Sequence, residues 1–227
     1  MNKKPIYLLK FVSKEEHAND FLNGELFTYP AGYYRYLERG RGDNKEGLVI
    51  GSSLYRTHPP AFQNTSYSIF CMYAVCRDDV DSNGVIKNID ERCIKDFKAQ
   101  NGYVIAIKCA DMTAVINSCD TQGYNMESRM IEYRDITFDD TWEWTRTGSV
   151  DNLFIKCPCF AYQNEFRTVI CKNNRYDFAK NEFGGIKLVY QPQKYRFSFD
   201  IKEKAKKYPI CNMYVGENNK YSLKLDL

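Results

Sequence analysis

Gln163, Glu165 and Arg167 recur at every second position of "CPCFAYQNEFRTVIC", residues 157 to 171. On an extended chain, alternate residues share one face. The spacing therefore predicts three long polar side chains side by side, with Tyr162, Asn164, Phe166 and Thr168 facing the other way. A carboxylate held like this can steady positive charge that develops on a substrate, with Gln163 and Glu165 flooring a polar cleft and Arg167 fixing the carboxylate. The same pattern also fits the solvent face of an amphipathic strand, where a Glu–Arg pair contributes under about 1 kcal/mol.

The elements around this stretch read as a strand-rich α+β domain. "PIYLLKFV" (5 to 12) suits a first strand. A helix follows from Ser13, which has capping-box spacing to Glu16, and Gly24 is placed to end it. "ELFTYP" reads as extended, "AGYYRYLER" as helical, and "TSYSIFCMYAVC" as a buried strand. The spacing of Ile89, Cys93, Ile94 and Phe97 predicts a helix over residues 88 to 101, before the strand "YVIAIKC". "MESRMIEYRDI", "NLFIKC", "YQNEFRTVI", "IKLVY", "YRFSFDI" and "YSLKLDL" read as further strands of an antiparallel sheet. Early helices followed by a late run of strands favour α+β over alternating β-α-β units. With no internal repeat or linker, the 227 residues are read as one domain.

Composition excludes several functions. The net charge of +3, from 32 basic and 29 acidic residues spread along the chain, gives no nucleic-acid-binding tail. No apolar run approaches the roughly 18 residues of a membrane span, so no membrane partner is expected. Nine cysteines, an odd number, with no apolar leader before them, point to a reduced cytoplasmic compartment. No glycine-rich phosphate loop is present. Neither "CPC" at 157 to 159 nor the pair Cys71 and Cys76 has CxxC spacing, and His17 and His58 lie far from both, so no metal is expected and most of the thiols read as small buried hydrophobes.

Three further segments carry alternatives. "GRGDNKEG" packs Arg41, Asp43 and Glu46 into a glycine-rich loop, either a solvated turn or a partner contact over a cleft. Trp142 and Trp144, flanked by Arg134 and Arg146, either stack on a ring or pack into the core. The lysines of "IKEKAKKYPI" read as a solvated helix or edge.

The order of "LLKFVSKEEHANDFLNGELF", "RGRGDNKEG", "IFCMY" and "Lys156 … Phe160 … QNEFR" resembles a large uncharacterised prokaryotic and phage family, one of the domains of unknown function, over roughly residues 6 to 170. More weakly, the layout is similar to that of ADP-ribosyltransferases, with a cationic residue on an early strand, Ser or Thr on a middle strand, and Gln/Glu-x-Glu on a later one. That resemblance implies an NAD-dependent glycosyl transfer to a protein or nucleic-acid acceptor. Lys10, Ser66, Ser68 and Arg167 would then serve the cofactor, and Glu165 with Gln163 the chemistry. Lysine lacks the forked geometry of the usual Arg. The phage resemblance implies a second function, a non-catalytic protein in the host cytoplasm that binds and inhibits a host or defence complex, as anti-CRISPR inhibitors do. The 18 tyrosines suit such a binder.

Overall fold

The computed structural model describes residues 4–31, 49–50, 57–58, 67–96, 99–118, 124–135, 150–172, 186–189, 201–216, 218 and 220–225. The centre is an eight-stranded antiparallel sheet. Its strands are β1 (Pro5–Val12), β2 (Glu25–Pro30), β5 (Tyr67–Cys76), β7 (Tyr103–Lys108), β8 (Tyr124–Met130), β11 (Glu165–Lys172), β12 (Ile186–Val189) and β13 (Ala205–Pro209). Between them in the chain lie two short pairs, β3 (Val49–Ile50) with β4 (Thr57–His58) and β9 (Glu132–Tyr133) with β10 (Ile155–Lys156). A three-stranded sheet runs in the order β14 (Tyr214–Val215), β15 (Lys220–Lys224), β6 (Val85–Asp90). The helices are α1 (Glu15–Leu22), α2 (Glu91–Asp96), α3 (Cys109–Ser118) and α4 (Ile201–Lys204).

β5 organises the main sheet. One of its edges pairs with β11 from Tyr67↔Cys171 to Tyr73↔Glu165, and β8 continues the sheet beyond β11. The other edge is shared. β1 pairs with it up to Leu9↔Tyr73, whereas β2 takes over at Ile69↔Tyr29. A fork therefore opens beside residues 70 to 72 of β5. On the far side of β1, β7 and then β13 complete the sheet. The loop entering β7 runs hard against the end of β1, where a Cβ on Gly102 would stand 2.0 Å from the Val12 carbonyl oxygen. That junction requires glycine.

Period-two alternation gives the central strands two buried faces. On one, Leu8, Phe70, Met72, Phe166 and Ile170 meet Ala18 and Phe21 of α1, Met112, Val115 and Ile116 of α3, and Ile201 of α4. Phe21 stacks on Phe70 with ring centroids 6.3 Å apart. On the other face, Leu9, Phe11 and Val75 pack under Ile86, Ile89, Cys93, Ile94 and Leu223 of β6, α2 and β15. Ile69 and Val169 pack there under Ile131, Leu153 and Phe154. Each such side chain contributes roughly 1.5–3 kcal/mol on full burial.

Several elements differ from the expectation. Residues 88 to 90 belong to β6 and the helix, Glu91–Asp96, starts after them, because Ile89 is held against Tyr221 of β15. The N-cap of α1 is Lys14, with no side-chain capping bond, so the Ser13–Glu16 box does not form; Gly24 does take the left-handed conformation, at φ 88°. "NLFIKC" is mostly a 3-10 turn, Asp151–Phe154, before the two-residue β10. The lysine-rich tail is both helix and edge, as α4 runs into β13. "AGYYRYLER" beyond Ala31, all of "GRGDNKEG", and "YRFSFDI" before Ile201 lie outside the described residues. Among the described residues, no helix is long and apolar enough to cross a membrane.

Candidate functional site

Gln163 does not lie on the strand. It closes a 3-10 turn, Pro158–Gln163, and Asn164 then adopts a left-handed conformation at φ 38° before β11 starts at Glu165. Asparagine tolerates that region better than most residues, and here it is anchored to β5. Its Nδ2 donates to the Ala74 carbonyl oxygen and its own carbonyl accepts from the Ala74 N–H, both at 2.7 Å. The corner swings Gln163 back over the strand, so it still reaches the neighbourhood of Glu165 by a route other than alternation.

The three residues meet around a fourth, Lys156, at the end of β10. Its Nζ donates to Gln163 Oε1 at 2.9 Å and to Glu165 Oε2 at 2.8 Å. Arg167 Nε donates to Glu165 Oε1 at 2.6 Å, and Arg167 Nη1 donates to the Leu153 carbonyl oxygen. The Glu165 N–H donates to Tyr133 Oη at 2.8 Å. Glu165 is 4% exposed, Arg167 0%, and Lys156 and Gln163 7% each. The cluster thus lies inside the protein, beneath the segment 150 to 163.

Such burial sets the electrostatics. Removal from water by itself pushes the Glu165 carboxyl upward, but Arg167 and Lys156 outweigh it and hold the group well below the ordinary carboxylate range. Glu165 is therefore ionised throughout the physiological range and cannot serve there as a proton donor. Burial pushes the adjacent Cys71 thiol up to about 12 and raises the Tyr73 and Tyr133 hydroxyls.

Lys10 occupies the fork between β1 and β2. Its Nζ donates to the Cys71 carbonyl oxygen at 2.8 Å and lies 4.3 Å from the centroid of the Phe70 ring. The ammonium thus binds the stretch of β5 that neither β1 nor β2 covers. Burial lowers its pKa, and the charge of Glu165 counters part of that drop. Lys10, Gln163 and Glu165 line one cavity with Cys71, Tyr73 and Cys93. Its volume is about 30 Å³, room for about one or two water molecules, where a cofactor-sized ligand needs a few hundred Å³.

Ser68 does not join this group. It is 2% exposed and shares the even-numbered face of β5 with Phe70 and Met72, whereas Glu165 is paired with Tyr73 on the odd-numbered face. The sheet itself separates Ser68 from Glu165. Ser66, Arg41, Asp43, Glu46, Arg146, Trp142 and Trp144 lie outside the described residues. Arg134 pairs at the surface with Glu132, Nε to Oε1, at 2.8 Å. His17 is exposed on α1, and no group of three or more His, Cys, Asp or Glu side chains among the described residues is disposed to hold a metal ion.

Lys156 and Tyr133 are the partners that sequence spacing missed. The signal for Lys156 was a single charge at the end of the apolar run "NLFIK". Tyr133 carried no signal, because its role depends on β9 being folded over the start of β11. No protein-family model, no curated protein and no solved structure matches this chain.

Proposed function

We propose that this protein acts by binding a protein partner, a host or defence complex in keeping with the phage-family resemblance, and not by turning over a substrate. The carrying observation is the edge strand β14. Tyr214 and Val215 are 69% and 61% exposed, and β14 pairs only with β15 among the described strands. Two adjacent large apolar side chains in solvent, on a strand with one edge unpaired among the described strands, match the chemistry of strand-addition contacts and tyrosine-centred hot spots. Pull-downs from host lysate test it. A partner retained by wild type and lost with Tyr214→Ala/Val215→Ser, at equal thermal stability, supports the reading; identical retention by both proteins contradicts it.

One observation favours a second reading, NAD-dependent glycosyl transfer to a protein or nucleic acid, namely that Lys10, Gln163 and Glu165 line a single cavity. For that chemistry Glu165 would have to exchange Lys156 or Arg167 for the developing cation, and the cavity would have to widen about tenfold. Nicotinamide release from NAD by the folded wild type, lost in a folded Glu165→Gln variant, would select it over binding.

A further inference from the structure

We propose that Cys157 and Cys159 form a thiol–disulfide exchange site, closing into an intramolecular disulfide when the protein meets a low-molecular-weight disulfide. The cysteines fall into two chemical groups. Cys93 is buried and Cys71 is half-buried against the Glu165 cluster, and removal from water pushes both thiols up to about 12, which makes them poor nucleophiles. Cys159 is exposed and Cys157 half-buried, and neither is in a disulfide. They are also already in contact, since the Cys159 N–H donates to Cys157 Sγ at 3.5 Å. A residue's Cβ stands about 2.5 Å from its own nitrogen, so the Cys159 side chain starts next to the Cys157 sulfur. Rotation about χ1 of Cys159 is the motion that brings the two sulfurs together.

The backbone favours that approach. Pro158 between the two cysteines has its φ fixed by the ring, which removes part of the entropy that closure would cost. The far end of the turn is anchored to α2 and β5. The Tyr162 hydroxyl donates to Asp96, the Arg92 guanidinium lies 3.9 Å over the Tyr162 ring, and Asn164 is bonded to Ala74. The corner is thus held from behind and open to solvent in front.

In the exchange, the exposed Cys159 thiolate attacks one sulfur of the small disulfide. That S–S bond breaks and one thiolate leaves. The Cys157 thiolate then attacks the Cys159 sulfur, the bond between Cys159 and the small thiol breaks, and the second thiolate leaves. The two protons lost by the cysteines end on the two small thiols. The protein dithiol is oxidised by two electrons and the small disulfide is reduced. Exposed disulfides in tight rings lie at the labile end of the range, so excess small thiol reverses the step. Lys156 precedes the pair and Gln163 ends the turn, and both side chains belong to the Glu165 cluster.

Cys211 supplies an internal reference, being equally exposed but without a neighbouring cysteine among the described residues. The experiment treats the full chain with oxidised glutathione, quenches with acid and maps peptides by mass spectrometry. The expected result is a peptide spanning 157 to 159 that has lost two hydrogens and carries no glutathione, while the Cys211 peptide carries it. Cys157→Ser should leave Cys159 as the mixed disulfide. Glutathione on Cys159 in the wild type, or an unreacted 157 to 159 peptide when Cys211 has reacted, would overturn the proposal.

Discussion

Glu165 lies between Arg167 and Lys156, and Asp90 lies between Arg92 and Lys220. Each carboxylate thus has two cations within hydrogen-bonding distance, Glu165 at 2.6 and 2.8 Å and Asp90 at 2.9 and 2.7 Å. Both are held below the ordinary carboxylate range, Asp90 chiefly through its hydrogen bonds from Arg92 and Glu165 by cations that outweigh its burial. They differ in where the cations sit. The Arg92 and Lys220 side chains are 55% and 39% exposed, whereas those of Arg167 and Lys156 are 0% and 7% exposed. Water can solvate the partners of Asp90 if the pair is broken. Glu165 is the carboxylate that both buried cations grip, beside the Gln163 amide oxygen on Lys156 and the Leu153 carbonyl on Arg167. Equal geometry at the two sites therefore carries unequal energy, and the alternating motif on β11 reads as a buried clamp between β11, β10 and the 150 to 163 segment.

That contrast fails or holds in a series of variants. Arg167→Met should be the most damaging single change, since it leaves the Glu165 charge half-paired inside the protein and removes a donor from Leu153. A loss of about 3–5 kcal/mol is expected by urea denaturation. Replacing the whole cluster by apolar residues, Lys156→Met/Glu165→Leu/Arg167→Met, should cost much less than that single change, within about 2 kcal/mol of wild type, because none of the three clamp charges is left without its partner. A triple variant less stable than Arg167→Met would show that the charges do more than neutralise one another.

Asp90→Asn should have the smallest effect, under about 1 kcal/mol at neutral pH and smaller still in high salt. Its pH dependence has a definite sign. The folded-state pKa of Asp90 is depressed, so its contribution is fully present above about pH 5 and is lost as pH falls, when the unfolded chain takes up a proton that the folded one refuses. The gap between wild type and Asp90→Asn should therefore narrow from pH 5 towards pH 3. A gap that widens on acidification would contradict the assignment.

Strands with uniform alternation were legible in the sequence. β5, β7 and the body of β11 fall where their apolar and β-branched residues place them, and the antiparallel α+β architecture follows. The stretch before β11 was not, because period two was read through Gln163 and Asn164, where a left-handed asparagine breaks the strand. Residues 88 to 90 misled for a related reason. Ile89 and Cys93 fit helical spacing, but pairing with β15 decides the first, and local periodicity contains no information about β15. At the site, the proximity of Glu165 and Arg167 was visible as spacing. Their burial and the part played by Lys156 were not, because both depend on which segment covers that face of the sheet. Most of the cysteines were read as buried, and Cys159 and Cys211 are exposed because each sits at a turn outside the sheet.

The central claim is that Glu165 holds the fold together and does not wait for a substrate. It is tested most directly by the stability of Glu165→Gln at pH 7, measured by urea denaturation against wild type. A buried clamp predicts a loss of about 3 kcal/mol or more, since Arg167 and Lys156 remain inside without their counter-charge. Stability equal to or above that of the wild type would contradict it, because that is the behaviour of a carboxylate kept for binding or catalysis at the expense of the fold.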